Sequence, residues 1–205
     1  MRVSVFVVDV GDPAAVERAF AAAVADGGAV QILVNNAGQG EMAPVATVPL
    51  ESWERMMRVN LTGTLLCMQQ VLPSMVAASG GRIVNVASTA ALRGYPQVAA
   101  YCASKHGVLG LTRAAAAETA RDGITVNAVC PGFTDDTDMI RAAIDNVRRT
   151  NGRSEEVARA ILAKGSTRGT LITPREVADT VVWLCSPGAS GITGQAIAVA
   201  GGEVR

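Results

Sequence analysis

The sequence predicts an α/β fold: a doubly wound parallel sheet with helices on both faces. Three observations predict it. The chain holds short, largely apolar runs, among them Val3–Val8, Ile32–Val34, Ile83–Ala87 and Ile124–Cys130, and strands buried on both faces read as such runs. Stretches with helical period and clear caps separate them, and strands joined by helical crossovers run parallel. No repeat or low-complexity linker divides the 205 residues, a length suited to one domain with a sizeable core.

The elements follow in order. Val3–Val8 is rich in β-branched residues and predicts a buried first strand. Asp12 and Pro13 open a helix as N-cap and first residue, with Val16, Ala19, Phe20, Ala23 and Val24 as its apolar stripe and Gly27-Gly28 as its stop. Ile32–Val34 is the second strand and runs into Asn35-Asn36-Ala37-Gly38. Small residues there permit either close approach of a ligand to the backbone or a plain turn. Two helices are predicted next, Glu51 to Arg58 and Leu61 to Ala78, the second weakened or kinked near Gln69 by Pro73. A strand over Ile83–Ala87 leads to Ser88, and an Ala-rich helix carries Tyr101 and Lys105 to about Ala120. That helix is apolar nearly all round and so is packed on two sides. Ile124–Cys130 is the fourth strand. Residues 133–168 turn polar and fit two short helices, Asp138 to Arg149 and Ser154 to Ala163, either a surface excursion or a lid. Thr173-Pro174-Arg175-Glu176 reads as a capping box that starts the last helix, and Ile197–Val199 is a final short strand.

Composition excludes several functions. Lysine and arginine total 18, as do aspartate and glutamate, and no basic run occurs; nucleic acid and anionic membrane are poor partners for such a chain. No apolar stretch approaches the length of a membrane span, and the opening residues lack a signal peptide's apolar region and cleavage site. Cys67, Cys102, Cys130 and Cys185 are widely spaced and read as reduced thiols of a cytoplasmic protein. His106 is the only histidine, which rules out a His-based triad or a multi-His metal site.

The candidate chemistry lies between Ser88 and Lys105. Tyr101 and Lys105 are four residues apart in a helical pattern and leave the same face. Ser88 sits at the end of the preceding strand. A phenol beside an ammonium and a second hydroxyl can exchange a proton with an alcohol or ketone, the cation favouring the phenolate. The spacing of Ser88, Tyr101 and Lys105 resembles the catalytic pattern of the short-chain dehydrogenase/reductase family. Asn35-Asn36-Ala37-Gly38 resembles its N-N-A-G motif, Asn60 in V-N-L-T-G its fourth catalytic residue, and Asn127 to Gly132, N-A-V-C-P-G, its segment near the nicotinamide.

That resemblance, which runs from about Val3 to the C-terminus, implies a Rossmann-like domain spanning residues 1–205, with 133–168 as a substrate lid. It implies hydride transfer between NAD or NADP and a secondary alcohol or ketone, with 3-oxoacyl-thioester reductases and hydroxyacyl-CoA dehydrogenases the nearest in feel. Tyr101 would be the acid/base, Lys105 would lower its pKa and bind ribose hydroxyls, Ser88 would hold the substrate oxygen, and Asn60 would hold a relaying water. Asp9 and Val10 would face the adenine, unless Asp9 is an ordinary loop carboxylate. Asn36, Ala37 and Gly38, together with Pro131, Gly132 and either Thr134 or Thr137, would line the rest of the dinucleotide. The apolar far sides of the Tyr101 helix and of Leu65 to Met75 lead us to expect a homodimer or homotetramer through these two helices.

The pattern also departs from the family. No T-G-x-x-x-G-x-G turn occurs before Asp9, so the family's diphosphate cradle and its NAD/NADP selector, the first two strand–helix units and about 50–60 residues, fall outside these residues. In the family's sheet order the Val3–Val8 strand would then have no neighbour, and Ile32–Val34 would be an exposed edge. The alternative to an oxidoreductase is a non-catalytic member that keeps the helical interface and binds a partner.

Overall fold

The computed structural model describes residues 2–204. Four strands form one parallel sheet in the order β1 (Ile32–Asn35), β2 (Gly81–Val86), β3 (Ile124–Pro131) and β4 (Ala196–Val199). Alternate side chains of each strand face opposite layers. On one side Ile83 of β2 and Val126 of β3 pack under α3 (Gly63–Ala77) and α4 (Ala99–Thr119), with Val16 of α1 (Pro13–Gly27) beside them. On the other side Val84 and Val129 meet Leu184 of α7 (Pro174–Cys185). This is the doubly wound arrangement that alternating strands and helices predict. β3 lies between two neighbours and two helical layers, and Ile124 to Cys130 are all buried.

Caps stand where the sequence puts them. The Asp12 carboxylate accepts from the backbone N–H groups of Ala14 and Ala15 at the start of α1. Thr173 and Glu176 form the reciprocal capping box of α7. In the excursion, α5 (Asp138–Asn151) and α6 (Glu155–Ala163) pack on each other through Ile140, Ile144 and Ala158.

Two predicted elements differ. The apolar run Val3–Val8 forms no strand; Val3 and Val5 are exposed and Val7 wholly so. Strand propensity needs a ladder to satisfy the backbone, and β1 pairs only with β2 among the described residues. β1 is accordingly an edge strand, with Ile32 49 % and Val34 41 % exposed. The two helices expected at 51–58 and 61–78 are one continuous run. α2 (Leu50–Met56) passes into a π-helical segment, Met57–Thr62, and then into α3. Pro73 does not break α3; it and Gln69 are both exposed, so water can take the carbonyl that the proline leaves free.

Candidate active site

Parallel strands deliver their following loops to one edge of the sheet. Asn36 to Gly38 follow β1, Ser88 follows β2, and Gly132 to Thr134 follow β3. Ser88 is extended and caps the short turn Thr89–Ala91, its hydroxyl accepting from the Ala90 N–H at 3.1 Å. Tyr101 lies in the first turn of α4, its phenol beside the Ser88 hydroxyl. Lys105, one turn on, is 4 % exposed, donates to the Val86 carbonyl at 2.8 Å and lies 5.7 Å from the centroid of the Tyr101 ring. The strand end, the serine loop and the helix face thus meet as their spacing predicts.

The electrostatics differ from the simple expectation. Burial raises the Tyr101 pKa above its ordinary value, and the neighbouring Ser88 hydroxyl opposes that rise. Burial also pulls Lys105 down to about 8. The ammonium is committed to the Val86 carbonyl, and desolvation, not the Lys105 charge, governs the phenol. Cys130, at the end of β3, is a neighbour that spacing did not reveal. Its thiol is pushed up to about 11 by burial, against the pull of the Ser88 backbone N–H and of Lys105. His106 is exposed, and its ring turns back to the Cys102 carbonyl.

Asn60 occupies the π-helical segment and is buried. The wider turn re-aims its side chain. Its Oδ1 accepts from the Gln39 N–H at 2.9 Å, and its Nδ2 donates to the Gln39 carbonyl at 2.9 Å and to Ser104 Oγ at 3.0 Å. Both amide protons are therefore taken, and a relaying water could use only the second lone pair of Oδ1. Gln39 and Ser104 carry no motif of their own, and only the fold brings them to Asn60.

Gly38 lies against this group: a Cβ there would stand 3.3 Å from Asn60 Oδ1 and 3.4 Å from Lys105 Nζ. At Gly40 a Cβ would lie 3.4 Å from both the Tyr101 ring and Met139 Sδ, so the start of α5 borders the tyrosine. Pro131 closes β3, and Gly132 donates its N–H to Val199. The Thr134 hydroxyl donates to the Gly132 carbonyl at 3.1 Å, whereas Thr137 caps α5 by accepting from the Ile140 N–H. Asp9 and Val10 stand apart from the tyrosine, at the approach to α1. Arg58 and the Gly11 N–H bind the Asp9 carboxylate and hold its pKa below the ordinary value. Val10 packs against Gly63.

Residues 1–203 fit a family model described as enoyl-(acyl carrier protein) reductase. The D-beta-hydroxybutyrate dehydrogenase of Rhizobium meliloti is 37 % identical over 176 residues, 85 % of this chain and 68 % of its own length. The 2-(S)-hydroxypropyl-CoM dehydrogenase 3 of Xanthobacter autotrophicus is 39 % identical over 197 residues, 96 % of this chain and 75 % of its own. Among solved structures, an actinorhodin polyketide ketoreductase variant with NADPH superposes with a TM-score of 0.91 at 40 % identity, covering 96 % of this chain and 76 % of that one. The chain is a short-chain dehydrogenase/reductase. It belongs with NAD(P)-dependent oxidoreductases of alcohols and ketones.

A short-chain dehydrogenase/reductase must seat its dinucleotide beside the tyrosine. The absence of a side chain at Gly38 lets the backbone after β1 pass close to Lys105 and Asn60, the residues that would hold the nicotinamide-ribose end of that cofactor. Among the described residues no glycine-rich turn opens a helix toward a diphosphate.

Proposed function

We propose that this reductase interconverts a secondary alcohol and a ketone through Tyr101, Ser88, Lys105 and Asn60, with a 3-oxoacyl or 3-hydroxyacyl thioester as the substrate class. The observation that carries the reading is the Tyr101 phenol beside the Ser88 hydroxyl, with buried Lys105 one helical turn away. When bound, the nicotinamide supplies or accepts the hydride at the carbonyl carbon. Ser88 donates to the substrate oxygen and orients it toward Tyr101. In the reducing direction the Tyr101 hydroxyl gives its proton to that oxygen, and a raised phenol pKa keeps the proton in place until it is needed. Lys105 spends one N–H on Val86, which fixes the ammonium and leaves two donors for ribose hydroxyls. Asn60 clamps Gln39 and so holds the loop that begins at Asn36.

Supporting positions complete the site. Gly38, Ala37 and Asn36 border the ribose side, and Pro131, Gly132 and Thr134 the nicotinamide side; Asp9 and Val10 lie toward the adenine. Thr134, whose hydroxyl donates to the Gly132 carbonyl and still has its acceptor lone pairs, is favoured over Thr137, whose hydroxyl both donates to the Thr134 carbonyl and accepts from Ile140. Residues 133–168 act as the lid of the single domain, an assignment supported by Met139 beside Gly40 and Tyr101. The ketoreductase likeness and the hydroxybutyrate dehydrogenase relative support the thioester and hydroxyacid class. Assembly as a homodimer or homotetramer through α3 and α4 is supported by Leu65 and Val76, which are exposed on α3; light scattering tests it, and a monomer at tens of micromolar, about the range of weak dimer affinities, would refute it. No helix of the described residues is long and apolar enough to cross a membrane, and the four free thiols fit a cytoplasmic location.

The test of the reaction is Tyr101→Phe in an enzyme that turns over a 3-oxoacyl thioester with NADPH. Turnover should fall by about 10²–10⁴, the usual worth of a general acid, while cofactor affinity stays the same. Undiminished turnover would refute the assignment.

A further inference from the structure

A second hydrogen-bonded group joins three parts of the chain outside the Ser88–Tyr101–Lys105 cluster. Tyr95 lies between the Thr89–Ala91 turn and α4. Its hydroxyl is 2.5 Å from Glu203 Oε1 and 2.8 Å from Thr89 Oγ1. An ionised carboxylate only accepts, and a phenol has one proton. Tyr95 therefore donates to Glu203, and Thr89 donates to Tyr95. The first of these has the short length of a charge-assisted O–H···O⁻ bond. Burial, with Glu203 adding to it, pushes the Tyr95 pKa up to about 12, so the phenol keeps its proton.

The far end of the relay is equally tied. The Glu203 carboxylate fills the space that side chains would need at two glycines: a Cβ at Gly132 would lie 2.8 Å from Oε2, and one at Gly165 would lie 3.1 Å from Oε1. Gly132 follows β3, and Gly165 follows α6 at the end of the excursion. The excursion is bound to the C-terminal turn a second time, because Thr167 donates its backbone N–H at 2.9 Å and its hydroxyl at 2.6 Å to the Gly201 carbonyl. At the near end, Thr89 is buried and is the residue after Ser88.

We propose that Tyr95 and Glu203 form a latch that ties the end of the excursion and the C-terminal turn to the loop carrying Ser88. Both are positioning residues: they touch no reacting atom and act on the substrate through Thr89 and Ser88. Closure of the excursion and placement of the Ser88 hydroxyl are then one event. The functional side of this assignment rests on the proposed role of Ser88, whereas the linkage itself does not.

Hydrogen exchange of the full 205-residue chain, read by mass spectrometry, tests the linkage without turnover. Tyr95→Phe and Glu203→Ala should each speed exchange about tenfold in residues 88–92 and in residues 163–169, the scale of one charge-assisted hydrogen bond. The double variant should do no more than either single change. Glu203→Gln keeps an acceptor and should restore part of the protection. Exchange across β3 should stay as in the parent, which guards against general unfolding. Unchanged exchange of residues 163–169 in Tyr95→Phe, or additive effects in the double variant, would overturn the latch. A coupled exchange response in a protein whose Tyr101→Phe variant loses no turnover would uphold the latch and refute the reductase roles instead.

Discussion

Lys105 shows how a residue proposed for the site weakens the fold that holds it. Burial lowers its pKa from 10.5 to about 8, so between those values the folded chain binds fewer protons than the unfolded one. Stability must therefore rise with pH through that window, and the full penalty stands below pH 8, on the order of 3 kcal/mol. Lys105→Met keeps the unbranched shape and removes the charge. It should raise the unfolding free energy at pH 7 by about 1–3 kcal/mol, after the lost Val86 bond is counted, and flatten the rise between pH 8 and 10 in urea titrations. Tyr101 predicts a directional pH effect. Its pKa is raised, so reduction, which needs the phenol, should hold through neutral pH, while alcohol oxidation, which needs the phenolate, should climb as pH rises. Rate profiles measured in both directions check this, and parallel profiles would contradict it. Spacing made Ser88, Tyr101 and Lys105 legible, because four residues in a helix and one strand end fix where side chains point. It could not show that Lys105 is spent on Val86 or that Cys130 adjoins it, since both contacts arise from packing between strands and helix.

At the scale of elements, the π-helical turn at Met57–Thr62 carries a cost and a purpose. It aims Asn60 at the Gln39 backbone, where the side chain satisfies one donor and one acceptor. Asn60→Ala should destabilise the chain by about 2–3 kcal/mol, as two backbone groups lose their partner, and should loosen the loop after β1 in amide exchange; a loss under about 0.5 kcal/mol, the size of an ordinary surface change, would contradict the clamp. The capping box of α7 is simpler. Thr173→Ala should cost about 1 kcal/mol by thermal or urea unfolding. Glu176, whose pKa is held down to about 2 by Arg168 and Thr173, contributes above its ordinary pKa and loses that contribution as pH falls toward 2. Caps were legible because a short motif specifies them. The π turn was not: sequence period alone split Leu50–Ala77 into two helices, and a single extra residue per turn leaves no local signature.

For the whole molecule, the alternation of strands and helices was enough to give the parallel sheet with helices on both faces. The exception was Val3–Val8, where strand-forming residues lack a ladder to join, because a strand is a property of a pair and not of a run. The same reasoning bears on the cofactor. The described residues include those proposed for ribose and nicotinamide but no glycine-rich turn toward a diphosphate. Charge-assisted bonds to phosphate contribute roughly 1.5–3 kcal/mol each, so the lack of two or three moves a micromolar affinity beyond millimolar. A polypeptide of these 205 residues by itself should therefore show no measurable heat with NADH or NADPH in calorimetry, and a micromolar dissociation constant for either would refute this. The outer side of β1 has a last consequence, one of colloidal behaviour. Its unpaired backbone groups, flanked by exposed Ile32 and Val34, are a template on which a second molecule can lay a strand, and a third on that. Solutions of the isolated polypeptide should cloud with time and concentration, and a gatekeeper lysine introduced as Val34→Lys should keep them clear.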